Sequence, residues 1–246
     1  MAYTPFQSVE LFHLIFLEQL TRKLDRRLYA LKGGCNLRFF LGSVRYSQDI
    51  DLDVKMVRAA TLQKTVNNIL EASAIGLSLR PHGIQIGNVS EAKQTETTQR
   101  WKIQLKIPTG SPFPTKIEFS RRGLEEPIDF EPVDSSILRM YQQRPLFASH
   151  YGPVTAFKQK IRALSLRTET QARDIWDLFH LIQAYGIKET DAAHVSKACA
   201  NACTISFADF KDQVMVFLPP DMQRQYDREI WDTIQLRVID YLETLQ

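Results

Sequence analysis

The sequence predicts an α+β fold in which a mixed sheet with helices is followed by an all-helical C-terminal part. Between residues 76 and 120, apolar and polar residues alternate, as they do in strands that bury one face. From residue 153 onward, apolar residues recur at helical spacing. Prolines interrupt residues 121–145, so we expect loops and short elements there. We therefore predict two domains, at residues 1–150 and 151–246.

The front half begins with a predicted helix from Pro5 to about Arg27. Proline suits a first helical turn, and apolar residues follow it at helical spacing. The other elements predicted in this half are a strand at 28–31, a short helix at 36–41, a strand at 46–54, a helix at 61–74, and strands at 77–79, 84–86, 102–107 and 116–119. The polar segment 94–100 is predicted to be a hairpin tip. The back half is predicted to hold helices at 153–166, 171–185, 192–201, 207–217 and 222–245.

The composition is that of a globular protein with a substantial core. Of the 246 residues, 44% are apolar and 24% are charged, which argues against disorder as the main state. The formal net charge of +3 permits a nucleic-acid partner without requiring one. Three cysteines are too few for a disulfide framework and favour a reducing compartment. We see no signal peptide and no membrane-spanning run, so we expect a cytoplasmic protein.

Three aspartates alternate with aliphatic residues in the predicted strand 46–54. Alternate side chains of a strand share one face, so Asp49, Asp51 and Asp53 are expected to point together, away from the core. Crowded carboxylates repel one another, and a divalent cation such as Mg²⁺ relieves that repulsion. The alternative for this pattern is an edge strand with a solvated acidic face. The shared face of the three acids therefore indicates a metal site.

A pair of glycines precedes the acidic strand. Gly33-Gly34 follows the predicted strand 28–31 and precedes a predicted helix. Glycine lets backbone N–H groups approach an anion closely, and a helix N-terminus favours negative charge. The arrangement suits a phosphate, although a Gly-Gly pair by itself is more often a simple turn.

Together, the two features resemble the polymerase-β type of nucleotidyltransferase. In that pattern Gly-Gly or Gly-Ser is followed, after a spacer, by Asp-hydrophobic-Asp or Asp-hydrophobic-Glu. Here Gly33-Gly34 and Asp49-Ile50-Asp51 fill those places. The spacer is slightly longer than in the general pattern.

The chain resembles more closely the AbiEii/AbiGii-type toxins, which are nucleotidyltransferase-like proteins of bacterial toxin–antitoxin and phage-defence systems. Their pattern runs Lys-Gly-Gly-x-x-Leu and then Arg-x-Ser-x-Asp-x-Asp, which matches Lys32–Leu37 and Arg45–Asp51. A second pattern matches Lys160-Ile161-Arg162-Ala163-Leu164 and Arg173-Asp174-Ile175-Trp176-Asp177-Leu178. The resemblance covers about residues 9–185.

The resemblance implies a polymerase-β-like fold and a metal-dependent enzyme, with Mg²⁺ or Mn²⁺ as cofactor. The enzyme would move a nucleoside monophosphate from an NTP to an acceptor, first of all the 3′ end of tRNA. A cognate antitoxin would be its protein partner. The 151–246 part would then be a helical domain that completes the nucleotide and acceptor site. We expect no membrane partner.

The resemblance also assigns site residues. A third metal-proximal carboxylate is expected near Glu118, although a solvent-facing glutamate is the alternative. The metal ligands would be Asp49, Asp51 and Glu118, and the catalytic set would add Lys160 and Asp174. The predicted nucleotide-binding residues are Gly33, Gly34, Arg45, Ser47, Lys160, Arg173 and Asp177. Lys160 and Arg173 would bind the triphosphate as cations, and Asp174 and Asp177, on one helix face, would orient them or reach the nucleoside.

Other functions stay open at this point. A nucleotide-binding interaction module without turnover would need the same phosphate cradle, but it would not need the acids. The acceptor is also open, because a protein side chain or a small molecule would use the same chemistry. A nuclease would use aspartates and Mg²⁺ too, but the Gly-Gly pair favours a bound triphosphate.

Overall fold

The structure is a computed structural model that describes residues 3–108, 110–190 and 192–245. The chain forms two compact units. The first contains the chain up to Gly42 together with Tyr46–Tyr151. The second contains Ser43–Arg45 and the chain from Gly152 onward. The second unit thus takes a three-residue segment from within the sequence of the first.

A seven-stranded mixed sheet forms the centre of the first unit, in the order β3-β4-β5-β2-β1-β7-β6. Its strands are β1 (Tyr29–Lys32), β2 (Asp49–Val54), β3 (Gln85–Gln94), β4 (Thr98–Lys106), β5 (Phe113–Ser120), β6 (Asp129–Pro132) and β7 (Phe147–His150). Strands β2 and β5 run parallel, as do β1 and β7, and the other neighbours are antiparallel. Strand β2, which carries the acids, therefore lies in the middle of the sheet.

The helices of the first unit are α1 (Pro5–Thr21), α2 (Gly33–Phe40), α3 (Ala59–Leu70), α4 (Ser73–Leu79) and α5 (Ser135–Met140). Those of the second unit are α6 (Pro153–Leu166), α7 (Ala172–Tyr185), α8 (Ala192–Ala202), α9 (Phe207–Gln213), α10 (Pro220–Gln223) and α11 (Arg228–Glu243). Short 3₁₀ helices lie at Arg80–His82 and Met215–Phe217. The mixed sheet followed by helices confirms the predicted fold class. No helix of the described residues is long and apolar enough to cross a membrane.

Helix α1 is the main buried helix of the first unit. A capping box starts it, because the Thr4 hydroxyl accepts from the Gln7 backbone N–H and the Gln7 side chain accepts from the Thr4 backbone N–H. All of its residues from Ser8 to Leu17 are buried. A helix that is apolar on most sides belongs inside a core, so α1 lies between the sheet and other helices.

Two polar side chains of α1 are buried and satisfied by partners. Glu10 accepts from Arg38 at 2.7 Å and from the Tyr141 hydroxyl at 2.7 Å. His13 lies 2.8 Å from the Thr115 hydroxyl, which in turn donates to the Gln48 carbonyl. These contacts connect α1 to the chain that leads into β2. Buried polar groups are tolerated here because each has a hydrogen-bond partner.

The structure corrects several predicted elements near the start of the chain. The predicted strand at 77–79 is wrong, since these residues lie in α4, where Ile75 and Leu79 are buried one helical turn apart. The first helix ends at Thr21, not near Arg27. The predicted helix at 61–74 is two helices, α3 and α4. Three alternating residues are too short a pattern to distinguish a strand from a helix.

Two further boundaries differ from the prediction. Strand β2 begins at Asp49, not at Tyr46, because the Ser47 hydroxyl donates to the Asp49 carbonyl and forms a turn ahead of the strand. The predicted helix at 222–245 is divided into α10 and α11. Asp227 starts the second of these by accepting from the Ile230 backbone N–H at 2.9 Å.

We predict that His13 makes the stability of the protein depend on pH. Burial lowers the pKa of His13 to about 3, whereas an unfolded histidine titrates near 6.5. The unfolded state therefore binds the extra proton, and stability falls as the pH drops below about 6.5. When the pH falls from 7 to 5, the free energy of unfolding should fall by about 2 kcal/mol less in His13→Gln than in the wild type. Urea denaturation at both pH values measures this difference.

The matched control is Thr115→Val, which removes the hydroxyl partner but leaves the imidazole in its buried position. This variant should be less stable at both pH values and should keep the wild-type dependence on pH. If His13→Gln also kept the wild-type dependence, His13 would not be the titrating group.

Candidate active site

The acids of β2 emerge on one face of the sheet because the residues between them are buried. Ile50 and Leu52 are fully buried, whereas Asp49 and Asp51 are partly exposed. In the register of the parallel pair, Asp51 lies directly beside Glu118 of β5. The predicted third acid is therefore the immediate neighbour of the central aspartate. Neighbouring strands lie about 4.8 Å apart, so residues in register on one face are adjacent.

Cations of the neighbouring strands contact these carboxylates. Lys116 of β5 lies beside Asp49, with 2.8 Å between its Nζ and the Asp49 Oδ2. Arg100 of β4 donates from Nε to the Glu118 Oε2 at 2.6 Å. Neither cation is among the site residues that the sequence predicted. Lys116 carried a signal, because it stands two residues before Glu118 on the same strand and so shares its face.

Asp53, the third acid of β2, has a different environment from the other two. It is only 5% exposed, and its carboxylate lies 2.5 Å from the Lys32 ammonium and 2.9 Å from the Tyr151 hydroxyl, which donates to it. Burial and the charge of Asp53 raise the pKa of Tyr151 above its ordinary value, so the hydroxyl keeps its proton. The three acids are thus not equivalent, and Asp53 is held as part of the structure.

Gly33 makes a close approach between α2 and the acidic strand. Its φ is +67°, and a Cβ built on it would lie 3.0 Å from the Asp51 Oδ2. A side chain at this position would be strained by the backbone and would press on the carboxylate. Helix α2 therefore begins against Asp51, where its N-terminal dipole favours negative charge. The helix was predicted to follow the Gly-Gly pair at 36–41, but α2 already begins with Gly33 and Gly34.

Ser47 lies just ahead of β2, outside the strand on which it was predicted. Its hydroxyl donates to the Asp49 carbonyl at 2.8 Å. The same backbone carbonyl also accepts from the Cys35 thiol at 3.2 Å. Burial raises the pKa of Cys35, so the thiol stays protonated and donates. These contacts hold the start of β2 and hence the position of Asp49; a nucleotide contact of Ser47 stays a prediction.

The carboxylates of the first unit suit a hard divalent cation in their chemistry. Asp49 and Asp51 offer oxygen donors from one strand face, and oxygen is the ligand type that Mg²⁺ and Mn²⁺ prefer. Within the described residues, no three acids, histidines or cysteines already form a metal-binding cluster. Lys116 and Arg100 instead neutralise Asp49 and Glu118. The donor set fits the cation, and the ligand roles stay predictions.

The second unit contains a buried network of charges around α7. The carboxylates of Asp174 and Asp177 are completely buried. Lys160 of α6 contacts both, at 3.1 Å from the Asp174 Oδ1 and 2.6 Å from the Asp177 Oδ2. The predicted grouping of these three residues is therefore present. Buried charges persist only when they are paired in this way.

Two arginines complete the network. Arg45, itself 5% exposed, donates from Nη2 to both oxygens of Asp177 at 2.9 Å, and Arg167 donates to the Asp174 Oδ2 at 2.8 Å. Burial alone raises the pKa of Asp177, but the charges of Arg45 and Lys160 outweigh it and hold that pKa below its ordinary value. Three cations thus share two carboxylates. A nucleotide contact of Arg45 stays a prediction, and the bond that Arg45 makes here is to Asp177.

Arg173 is not among the ion-pair partners of Asp174 and Asp177 in the described residues, and its nucleotide contact stays a prediction. Asp174 and Asp177 were expected to orient Lys160 and Arg173 or to reach the nucleoside; they contact Lys160, and their other partners are Arg45 and Arg167. Adjacent residues of a helix point in different directions, so Arg173 and Asp174 cannot face the same partner. Arg167 had no signal in the sequence, because it lies beyond the end of α6 and reaches α7 only in the folded unit.

One family model covers both the acids of β2 and the charged network of α7. Residues 15–240 match the model described as "Nucleotidyl transferase AbiEii toxin, Type IV TA system". The chain belongs to this family. The match runs from α1 to α11 and includes both the acids of β2 and the charged network of α7, so the AbiEii assignment confirms the resemblance drawn from the motifs.

Solved structures share the fold of this AbiEii-family chain. JHP933 from Helicobacter pylori is 16% identical with a TM-score of 0.65, and the match covers 100% of this chain and 93% of that one. MenT4, a nucleotidyltransferase toxin from Mycobacterium tuberculosis H37Rv, is 18% identical with a TM-score of 0.64, and the match covers 98% and 85%. Comparison with curated proteins gives no match. At these identities, the two structures support the fold of this chain.

We predict that Gly33→Ala impairs nucleotide transfer far more than it impairs folding. The added methyl group would meet the Asp51 carboxylate, and misplacing a reacting group by about 1 Å can cost on the order of 100-fold in rate. The left-handed backbone adds a cost of about 1–2 kcal/mol in stability. Transfer rates and urea midpoints of the variant and the wild type measure the two effects.

Gly42→Ala is the matched control for this substitution. Gly42 has a φ of +73°, but a Cβ there would meet nothing within 4 Å. It should lose a similar amount of stability and keep its transfer rate. Equal loss of activity in both variants would mean that backbone strain, not contact with Asp51, limits this position.

We predict that Asp177→Asn destabilises the second unit more than Lys160→Met does. Removing the charge of Asp177 leaves the buried Arg45 without its bidentate partner, at a cost of about 3–5 kcal/mol. Removing Lys160 leaves one arginine for each carboxylate, at a cost of about 1.5–3 kcal/mol. Urea denaturation gives the order. If Lys160→Met proved the more damaging, the lysine and not Arg45 would be the main partner of Asp177.

Proposed function

We propose that this protein transfers a nucleoside monophosphate from an NTP to an RNA acceptor with the help of Mg²⁺ or Mn²⁺, and that the 3′ end of tRNA is the first acceptor to test. The observation that carries the proposal is the register of the sheet. It sets Asp51 beside Glu118, on the face that also holds Asp49, while α2 begins against Asp51 at Gly33. Membership in the AbiEii family supports nucleotide transfer as the chemistry.

Asp49 and Asp51 would hold the divalent cation, with Glu118 as the additional acid. When bound, the cation neutralises the triphosphate and favours ionisation of the attacking hydroxyl. The cationic partners Lys116 and Arg100 already lie against Asp49 and Glu118, so the charge that a cation would meet is partly neutralised. Backbone N–H groups at Gly33 and Gly34 would bind a phosphate at the start of α2.

The proposed step balances as a substitution at phosphorus. A hydroxyl oxygen of the acceptor forms a bond to the α-phosphorus, and the bond from that phosphorus to the bridging oxygen of the β-phosphate breaks. Pyrophosphate leaves with the bonding electron pair. The hydroxyl proton passes to a carboxylate of the site or to water. The attacking oxygen, the phosphorus and the leaving oxygen must lie in line. Catalysis of such a step consists mainly of holding the two substrates in that position.

Residues of the second unit have proposed roles that follow from their charges. Lys160 and Asp174 are the proposed catalytic members, although the network described above engages both. Arg173 is partly buried and has no ion-pair partner among the residues that the structure describes, so it is the cation of α7 best able to accept an anion. Arg45 and Asp177 would act by holding Lys160 in place.

The toxin family also supports an antitoxin as a partner. A protein side chain or a small molecule would meet the same acids as an RNA hydroxyl. A module that binds nucleotide without turnover would not need the acids of β2. The experiment below therefore measures turnover and acceptor together.

We predict that Asp49→Asn and Asp51→Asn each abolish transfer of label from α-³²P NTP to total tRNA. Each removes a negative charge at the proposed cation site, and neither removes a core side chain, so the fold should be retained. Added EDTA should stop the wild type, and Mg²⁺ should restore it. Glu96→Gln, at the exposed tip of the β3–β4 hairpin, is the control and should transfer label at the wild-type rate.

The same variants test the toxin role in cells. Expression of the wild type alone should slow bacterial growth, and sequencing should find altered tRNA 3′ ends; Asp49→Asn should show neither effect. Growth inhibition with unaltered tRNA ends would contradict the proposed acceptor but not the chemistry. Full transfer by Asp49→Asn would contradict the site itself.

A further inference from the structure

We propose that the open face of strands β3, β4 and β5 binds the sugar-phosphate backbone of the RNA acceptor and directs it to the acids of β2. This inference rests on the proposed function and adds the surface that would hold the acceptor. We name it the lysine face. Its cations are Lys93, Arg100, Lys102, Lys106 and Lys116.

Strand alternation creates the lysine face. In β4, Trp101, Ile103 and Leu105 are buried, and the Trp101 indole donates to the Asn67 side chain of α3 at 2.8 Å. Helix α3 therefore packs on that side of the sheet. The residues between them, Lys102 and Gln104, point to the other side and are exposed.

The register joins this face to the acids through two transverse rows. The first row runs Lys93, Arg100, Glu118, Asp51 and Lys32 across five strands. A second row runs from Ser90 through Lys102 and Lys116 to Asp49. In both rows cations lie on the β3 side of the acids, and in the first row Lys32 follows Asp51 on β1, where it pairs with Asp53. The same sheet face thus changes from positive to negative over a few strands.

The lysine face has more cationic side chains than carboxylate partners. Lys102 and Lys116 are direct cross-strand neighbours, and like charges in that position destabilise a sheet. Asp49 neutralises Lys116 and Glu118 neutralises Arg100. The other three, Lys93, Lys102 and Lys106, are exposed and have no carboxylate partner within the described ranges. A polyanion would supply the missing charge.

The shape and chemistry of the face suit an RNA backbone. Arg100 to Lys106 extends over about 20 Å along β4, at about 3.3 Å per residue, and its charges face the same way. Lysine contacts phosphate as a point charge. Along these described rows no aromatic ring is available to stack on a base, so contacts to the backbone and not to the bases are expected. A backbone bound by these charges would reach the acids by crossing from β4 to β2 along the rows.

The experiment compares two double variants of the 246-residue chain. Lys102→Gln with Lys106→Gln removes two charges of the lysine face while keeping side-chain length. Lys23→Gln with Lys64→Gln removes two exposed lysines elsewhere, Lys23 just beyond α1 and Lys64 on α3, and serves as the control. Fluorescence anisotropy with labelled total tRNA in EDTA, over a range of NaCl concentrations, gives affinity and salt dependence.

The lysine-face variant should bind tRNA about ten-fold more weakly at moderate salt, and its slope of log affinity against log salt should be smaller by about two, one for each lost contact. The control variant should match the wild type. In transfer assays the KM for tRNA should rise in the lysine-face variant, while the KM for NTP should stay the same.

The outcomes separate the two proposals. Equal affinity and slope in the wild type and the lysine-face variant would overturn the surface and leave the proposed function intact. Transfer of label by the wild type to a protein or small molecule, without binding of tRNA, would overturn the RNA acceptor and with it this surface. Loss of binding to an acidic protein, with tRNA binding unchanged, would assign the face to a protein partner and contradict the inference.

Discussion

The arrangement of the first unit depends on the position of β2 in the middle of the sheet with one face buried. Because Ile50 and Leu52 are fully buried, a slip of one residue would turn the aspartates into the core at a large cost. The hydrogen bonds to the Gln48 and Asp49 carbonyls hold the start of the strand in the same register. The acidic face is therefore a consequence of hydrophobic burial on the opposite side.

Both units combine carboxylates with neighbouring cations, but they do so in different surroundings. In the first unit, Asp49 and Glu118 are partly exposed, so water screens their ion pairs and a ligand can exchange with Lys116 or Arg100. In the second unit, Asp174 and Asp177 are completely buried, and their partners cannot leave without large cost. The first arrangement suits binding and release, and the second suits a fixed framework.

This contrast gives the family motifs a physical meaning. The Gly-Gly motif and the Asp-x-Asp motif are in contact, because Gly33 lies against Asp51. The Arg-Asp-x-x-Asp pattern instead supplies two buried anions that Lys160 and Arg45 need. The proposed cation site rests on the first arrangement, whereas the second holds Lys160 and Arg45 against the two buried carboxylates. The lysines of β4 extend the same sheet face toward a larger anionic substrate.

The sequence by itself determined the features that depend on near neighbours. Alternation gave the acidic face of β2, glycine marked the turn into α2, and helical spacing gave α6 and α7. Tertiary structure decided that Glu118 lies beside Asp51. It also decided that Asp53 is buried against Lys32 and Tyr151. In the second unit it decided that Arg167, and not Arg173, contacts Asp174. Periodicity is set by residues a few positions apart, whereas the partner of a charge is the group that packing brings within a few ångströms, however distant it is along the chain.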